Sequence, residues 1–237
     1  MARTPHWFEA IADHVGPAYL RYSFTKGTEQ EAGFLVAALG LRPGDRLLDV
    51  GCGPGRHLRA LQARGLVTLG VDISASFVAL CDGRAAQGDA RRLPVADASV
   101  DVALSLCQGG FGLPEPGGEL HDDAAVLREL ARVVRPGGTV VLSAFSAYFQ
   151  VRHLEPERER FDAATGVNHE WTEVRDTAGR VAPTELWTAC YTPRELRLLC
   201  AAVGLRAEHV WSVSPGAYRS EVPTVDSHEF LCVARRP

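Results

Sequence analysis

Short apolar runs alternate with amphipathic stretches along this chain. Arg46-Leu-Leu-Asp-Val50, Val67-Thr-Leu-Gly-Val71, Val100-Asp-Val-Ala-Leu-Ser-Leu106 and Thr139-Val-Val-Leu-Ser143 are short apolar runs, and they read as strands. A weaker strand lies around Ala85 to Gln87. Helix signals fall between them. Thr28-Glu-Gln-Glu31 has the form of a capping box, ahead of a stripe of Phe34, Leu35, Ala38 and Leu39 that stops at Gly40. A second helix starts at Asp122, carries Val126, Leu127, Leu130, Val133 and Val134 on one face, and ends at Arg135-Pro-Gly-Gly138. A third opens at Thr192-Pro-Arg-Glu195, with proline at the first helical position, and runs through Leu196, Leu199, Cys200 and Val203 to Gly204. Strands and helices in this alternation predict a doubly wound α/β fold, a mostly parallel sheet with helices on both faces.

Composition narrows the class. With 237 residues, 46% of them hydrophobic and 23% charged, the chain can bury one substantial core, so one domain with an insertion is expected. The net charge is −4 and the 25 Lys and Arg are scattered, without the basic stripe of a nucleic-acid binder. The six cysteines form no C-x-x-C pair and read as reduced core thiols, with no metal site. Neither a secretory leader nor an apolar run of membrane-spanning length is visible, so a cytoplasmic location with no membrane partner is expected.

The chemistry is concentrated in Leu47-Leu-Asp-Val-Gly-Cys-Gly-Pro-Gly-Arg56, where a buried strand runs through Gly51, Gly53 and Gly55 into a helix. Such glycines let the backbone turn tightly and approach a ligand at a helix N-terminus. About twenty residues on, strand two ends in Val71-Asp72, where a carboxylate can accept both hydroxyls of a ribose. Gly88-Asp-Ala-Arg-Arg-Leu-Pro94 and the Arg-Pro-Gly-Gly turn follow in order.

On these motifs the sequence resembles the class I S-adenosylmethionine-dependent methyltransferases, close to the small-molecule branch that includes ubiquinone-type enzymes. The resemblance covers roughly residues 28–145. It implies a seven-stranded sheet whose final hairpin makes one strand antiparallel, with S-adenosylmethionine as cofactor. By the same resemblance, Asp49 makes a polar contact to the methionine amino end, and Gly51 and Gly53 form the ligand-hugging turn. Asp72, with Ile73 beside it, takes the ribose, Asp89 and Ala90 take the adenine, and Cys107 and Gln108 flank the methionine portion. A nicotinamide dehydrogenase needs a third glycine where this chain has Arg56, which weighs against that reading. A non-catalytic binder of the adenosyl ligand stays open as an alternative.

The expected reaction is methyl transfer to an O, N or C nucleophile of a small molecule, a secondary metabolite or quinone-like compound, with no nucleic acid as acceptor. Residues 144–191 form an insertion that contains Phe145, Tyr148, Phe149, Phe161, Trp171, Trp187 and Tyr191, and a hairpin is expected around Thr177-Ala-Gly-Arg180. Related small-molecule enzymes build the acceptor pocket at this edge, and His169 within it is the candidate general base. The expected organisation is thus a lid-like segment 1–27 in which Tyr19, Tyr22 and Phe24 shield the cofactor, a cofactor core 28–143, the acceptor insertion 144–191, and a closing helix and strands 192–237.

Overall fold

The computed structural model describes residues 5–116 and 121–237. The first half contains α1 (Trp7–Val15), α2 (Thr28–Leu39), β1 (Arg46–Val50), α3 (Arg56–Gln62), β2 (Val67–Asp72), α4 (Ala75–Val78), β3 (Ala85–Gln87) and β4 (Val100–Ser105). The second half contains α5 (His121–Val133), β5 (Val134–Ser146), α6 (Ala147–Arg152), β6 (Glu159–Asp162), β7 (Val167–Arg175), β8 (Val181–Tyr191), α7 (Pro193–Ala202), β9 (Arg206–Val213) and β10 (Glu229–Arg235).

Strands β3, β2, β1, β4 and β5 are parallel neighbours in that order, and β10 pairs antiparallel with both β5 and β9. These are the expected seven strands. The sheet is nevertheless larger than seven, because the insertion adds β6, β7 and β8 to it. β4 ends its pairing at Ser105 opposite Leu142, whereas β5 continues to Ser146. That leaves a free edge beyond β4, and β8 takes it through Phe145↔Cys190 and Ser146↔Tyr191. β7 and β8 form the expected hairpin, with Asp176 in its turn accepting from the amides of Ala178 and Arg180, each at 2.8 Å.

Alternation along the strands sorts side chains to the two faces. Leu48, Val140 and Leu142 join Leu127 and Leu130 of α5 and Leu196 of α7 in one core. Leu47, Val102 and Val141 join Ala32 and Leu35 of α2 and Leu61 of α3 in the other. Helices cover both faces, as a parallel sheet requires.

Capping behaved differently at two helices. At α7 the box forms, with the Glu195 amide donating to Thr192 Oγ1 at 3.2 Å and the Thr192 amide donating to Glu195 Oε2 at 2.6 Å. At α2 it does not: the N-cap is Gly27 and no side chain caps it. Glu31 is fully buried and turned instead toward Arg56 and His57, and the Thr28 hydroxyl donates to the Thr25 carbonyl at 2.7 Å. A tertiary ion pair has outcompeted a local cap.

Candidate active site

A cavity of about 550 Å³ opens over the C-terminal ends of β1, β2 and β4. This is where open α/β sheets bind ligands, and the volume falls within the range of small-molecule sites. Its floor is the glycine loop. The Gly51 and Cys52 amides donate to the Val71 carbonyl at 2.7 and 3.2 Å, tying the loop to the end of β2. Gly51 has φ of +70°, and a Cβ there would fall 1.5 Å from the Gly109 carbonyl oxygen, so two loop backbones pass against each other. Only glycine fits.

Asp72 closes the loop from the other side. Its Oδ2 accepts from the Gly53 amide at 2.8 Å and its Oδ1 from the Ser74 amide at 2.9 Å. Burial pushes its carboxyl up to about 6, against the pull of those two amides. Ile73 lines the cavity beside it, followed by Gly88, Asp89 and Ala90. Asp89 is oriented by Arg91, whose backbone amide donates to Oδ1 at 2.8 Å and whose guanidinium donates to Oδ2 at 2.7 Å; Arg91 reaches Asp122 as well at 3.2 Å.

Cys107 and Gln108 also line the cavity. Both adopt left-handed backbone, φ 51° and 54°, a costly conformation for residues with a Cβ. The Cys107 amide donates to Ser143 Oγ at 2.7 Å, and Arg56 donates to its sulfur at 2.9 Å, which holds the turn. Gln108 Nε2 is buried without a partner. Arg56 itself is anchored at 2.5 Å to Glu31, which also pairs with His57 at 2.7 Å. Burial alone would raise the Glu31 carboxyl, but the His57 hydrogen bond and the Arg56 charge outweigh it and hold it at about 2.

The N-terminal segment forms a wall of the same cavity, its first four residues lying outside the described ones. Trp7 Nε1 donates to the Pro114 carbonyl at 2.9 Å. Phe8 and Tyr19 pack edge-on against Phe77 of α4, while Ile11, Val15 and Ala18 cluster with Val174 and Leu186 of the hairpin. Tyr19, Tyr22 and Phe24 all face the cavity.

Two expected site residues are not at the cavity. Asp49 is buried behind the glycine loop and is absent from the lining; burial raises its carboxyl, and its Oδ2 has no partner. His169 points out of the cavity. Neighbouring strand residues face opposite ways, so Asn168, Glu170 and Thr172 look inward while His169 and Trp171 look outward. His169 stacks on Trp187 with centroids 4.6 Å apart and pairs with Glu185 at 2.7 Å, so it serves the outer face and not as a base in the cavity.

The cavity holds groups to which the sequence reading gave no role. Asn168 and Glu229 are both buried and line it, with Asn168 Oδ1 and Glu229 Oε2 lacking partners. The signal for Glu229 was a carboxylate heading the apolar run Phe230 to Ala234. Among the described residues, no helix is long and apolar enough to cross a membrane.

Residues 48–142 match the family model of a methyltransferase domain. The chain is similar to 27-O-demethylrifamycin SV methyltransferase of Amycolatopsis mediterranei (strain S699), 35% identical over 60% of this chain and 53% of the relative. It is 40% identical to demethylmenaquinone methyltransferase of Mycobacterium sp. (strain KMS) over 46% of each chain. The chain thus spans about half the length of these two curated relatives. Its fold is shared over nearly full length with the CcbJ methyltransferase from Streptomyces caelestis, TM-score 0.76 at 17% identity, covering 95% of this chain and 97% of that one. The matched stretch runs from the first strand through the glycine loop, Asp72 and the Arg-Pro-Gly-Gly segment, and over it the chain is similar to the S-adenosylmethionine-dependent methyltransferases.

Proposed function

We propose that this chain transfers the methyl group of S-adenosylmethionine to a small-molecule acceptor in the cytoplasm, with the acceptor seated against the insertion. One observation carries the reading. A single cavity extends from Gly51, Gly53, Asp72 and Asp89 to the inward face of the hairpin at Asn168, Thr172 and Thr188. Both curated relatives are named for small-molecule acceptors, a demethylrifamycin and a demethylmenaquinone.

Two features support the fit to the cofactor. The Gln108 amide is a buried donor without a partner, suited to a carboxylate or carbonyl oxygen. Asp72 has each oxygen engaged by one amide, which leaves lone pairs for ribose hydroxyls. In this reading Asp72 holds the ribose and Ile73 packs beside it. Asp89 and the Ala90 amide read the adenine, and Cys107, Gln108 and the glycine loop orient the methionine end.

Bound S-adenosylmethionine supplies an electrophilic methyl group on a sulfonium. The chain's own contribution is positioning, because in-line attack depends on holding the nucleophile in one orientation. The N-terminal wall and the hairpin exclude water around it, with Tyr19, Tyr22 and Phe24 on one side and Val174 and Leu186 on the other.

The test is a screen with methyl-tritiated S-adenosylmethionine against hydroxylated quinones, phenols and amines. Label should appear in product together with an equal amount of S-adenosylhomocysteine. Tight cofactor binding with no S-adenosylhomocysteine formed for any acceptor would favour a non-catalytic binder.

A further inference from the structure

The part of the cavity bounded by the insertion and β10 differs from the cofactor side in charge. Among the described residues that line it there, Glu170, Glu173 and Glu229 are charged and none is Lys, Arg or His. Glu173 sits at the exposed rim, but Glu170 is half-buried and Glu229 is only 4% exposed. A buried carboxylate in a native structure is nearly always paired. Glu229 Oε2 is not.

The register of the sheet fixes its place. Glu229 lies opposite Phe145, and Phe145 lies opposite Cys190 of β8, so the carboxylate stands two strands from the hairpin. With Phe145, Gln150 and Pro215 it also borders a second, shallower cleft that includes Phe149 and His228. The second orphan, Asn168, is held from behind. Its Nδ2 donates to Glu159 Oε1 at 3.3 Å, and since a carboxylate only accepts, the amide is oriented with Oδ1 left over. Gln150 Nε2 donates to the other oxygen of Glu159 at 3.1 Å, so one carboxylate of β6 braces two cavity residues.

Two buried oxygens that lack donors, in a region lined by carboxylates, ask for a ligand that brings N–H groups and positive charge. We propose that the methyl acceptor is an amine, anchored by Asn168 Oδ1 and Glu229 Oε2, and that the Glu229 carboxylate is the catalytic base. The inference rests on the methyltransferase reading above. An acceptor arriving as ammonium gives one proton to Glu229, which frees the nitrogen lone pair. That pair forms the bond to the methyl carbon, the carbon–sulfur bond breaks with its electrons on sulfur as the thioether, and the methylated product leaves as an ammonium ion. Glu229 then returns its proton to solvent. Burial pushes the Glu229 carboxyl up to about 7, with Glu31 adding to the rise and Arg56 opposing it. Cys107 and Tyr218 face it as well, and His228 borders the same shallow cleft. A base poised near neutrality suits the task.

The test uses the full chain and two known ligands: S-adenosylhomocysteine, and sinefungin, in which a carbon bearing an ammonium group replaces the methylsulfonium. Calorimetry on the wild type should show a preference for sinefungin that grows about tenfold or more from pH 6 to pH 8 as Glu229 ionises, the size expected of a charge-assisted pair. Glu229→Gln should bind S-adenosylhomocysteine as the wild type does, lose the pH-dependent preference, and melt at or above the wild-type temperature at pH 8. A preference that is flat from pH 6 to 8 in the wild type, or fully retained in Glu229→Gln, overturns the inference, and the wild-type series decides it even if the variant fails to fold. Failure of the wild type to bind either ligand would instead sink the methyltransferase reading itself.

Discussion

Lowering the pH from about 7.5 to about 5 is expected to weaken S-adenosylhomocysteine binding about tenfold, and Asp72→Asn is expected to remove most of that dependence. Asp72 is 4% exposed, and burial pushes its carboxyl up to about 6 while the Ser74 and Gly53 amides pull it down. Ribose hydroxyls donate best to an ionised carboxylate, so binding favours the charged form. At pH 5 roughly one carboxyl in eleven is charged, against nearly all at 7.5, which gives the factor of about ten. The stability sign runs the other way. Because the folded value lies above the ordinary one, the favourable contribution is complete below the ordinary aspartate value of 3.8 and is lost as pH rises through about 6. At neutral pH the ionised group therefore costs about 3 kcal/mol. Asparagine, neutral like the protonated acid, relieves that cost, in which the opposing pull of the Gly53 and Ser74 amides is already included. The melting temperature at pH 7.5 should therefore stay at or above wild type while affinity at pH 7.5 falls about 10- to 100-fold. Calorimetry across the pH series, with a thermal melt of each variant, is the assay. A wild-type dissociation constant that is flat from pH 7.5 to 5, or an Asp72→Asn constant equal to wild type, would refute the ribose role.

Glu31→Ala strips the buried anion from Arg56 and His57 and should cost about 3–5 kcal/mol. That corresponds to a drop of about 6–20 °C in a thermal melt, and a loss under about 1 kcal/mol would mean that the cluster is not a structural anchor. Gly51→Ala meets the Gly109 carbonyl and should abolish adenosyl binding or folding, and a variant with wild-type affinity would show that the two loops are not packed in this way. His169→Ala should leave methyl transfer within twofold of wild type and shift stability by less than about 1 kcal/mol, since it breaks an outward-facing pair. A large loss of kcat there would reinstate His169 as a base.

What was legible in the sequence was what is local. The turn at Gly51 and Gly53, the Thr192 cap and the short strand at Ala85 are each set by a few neighbouring residues, and the structure has them. Three features were not legible because distant groups decide them. The Thr28–Glu31 motif is a good capping box, yet Glu31 is drawn away by Arg56, 25 positions along the chain. Alternation in the hairpin shows that Asn168 and His169 face opposite ways, but only the pairing of β8 with β5 decides which one meets the cavity. Glu229 reads as the polar start of a strand until β5 and the loop after β9 bury it. Asp49 was assigned to the cofactor by its place in the motif, although the turn at Gly51 puts it behind the loop.

Calorimetric titration of the full chain with S-adenosylmethionine, S-adenosylhomocysteine and NAD bears most directly on the cofactor. Both adenosyl ligands should bind one per chain with dissociation constants in roughly the micromolar range, about −8 kcal/mol, and NAD should give no heat of binding. Binding of NAD with no binding of either adenosyl ligand would contradict the assignment.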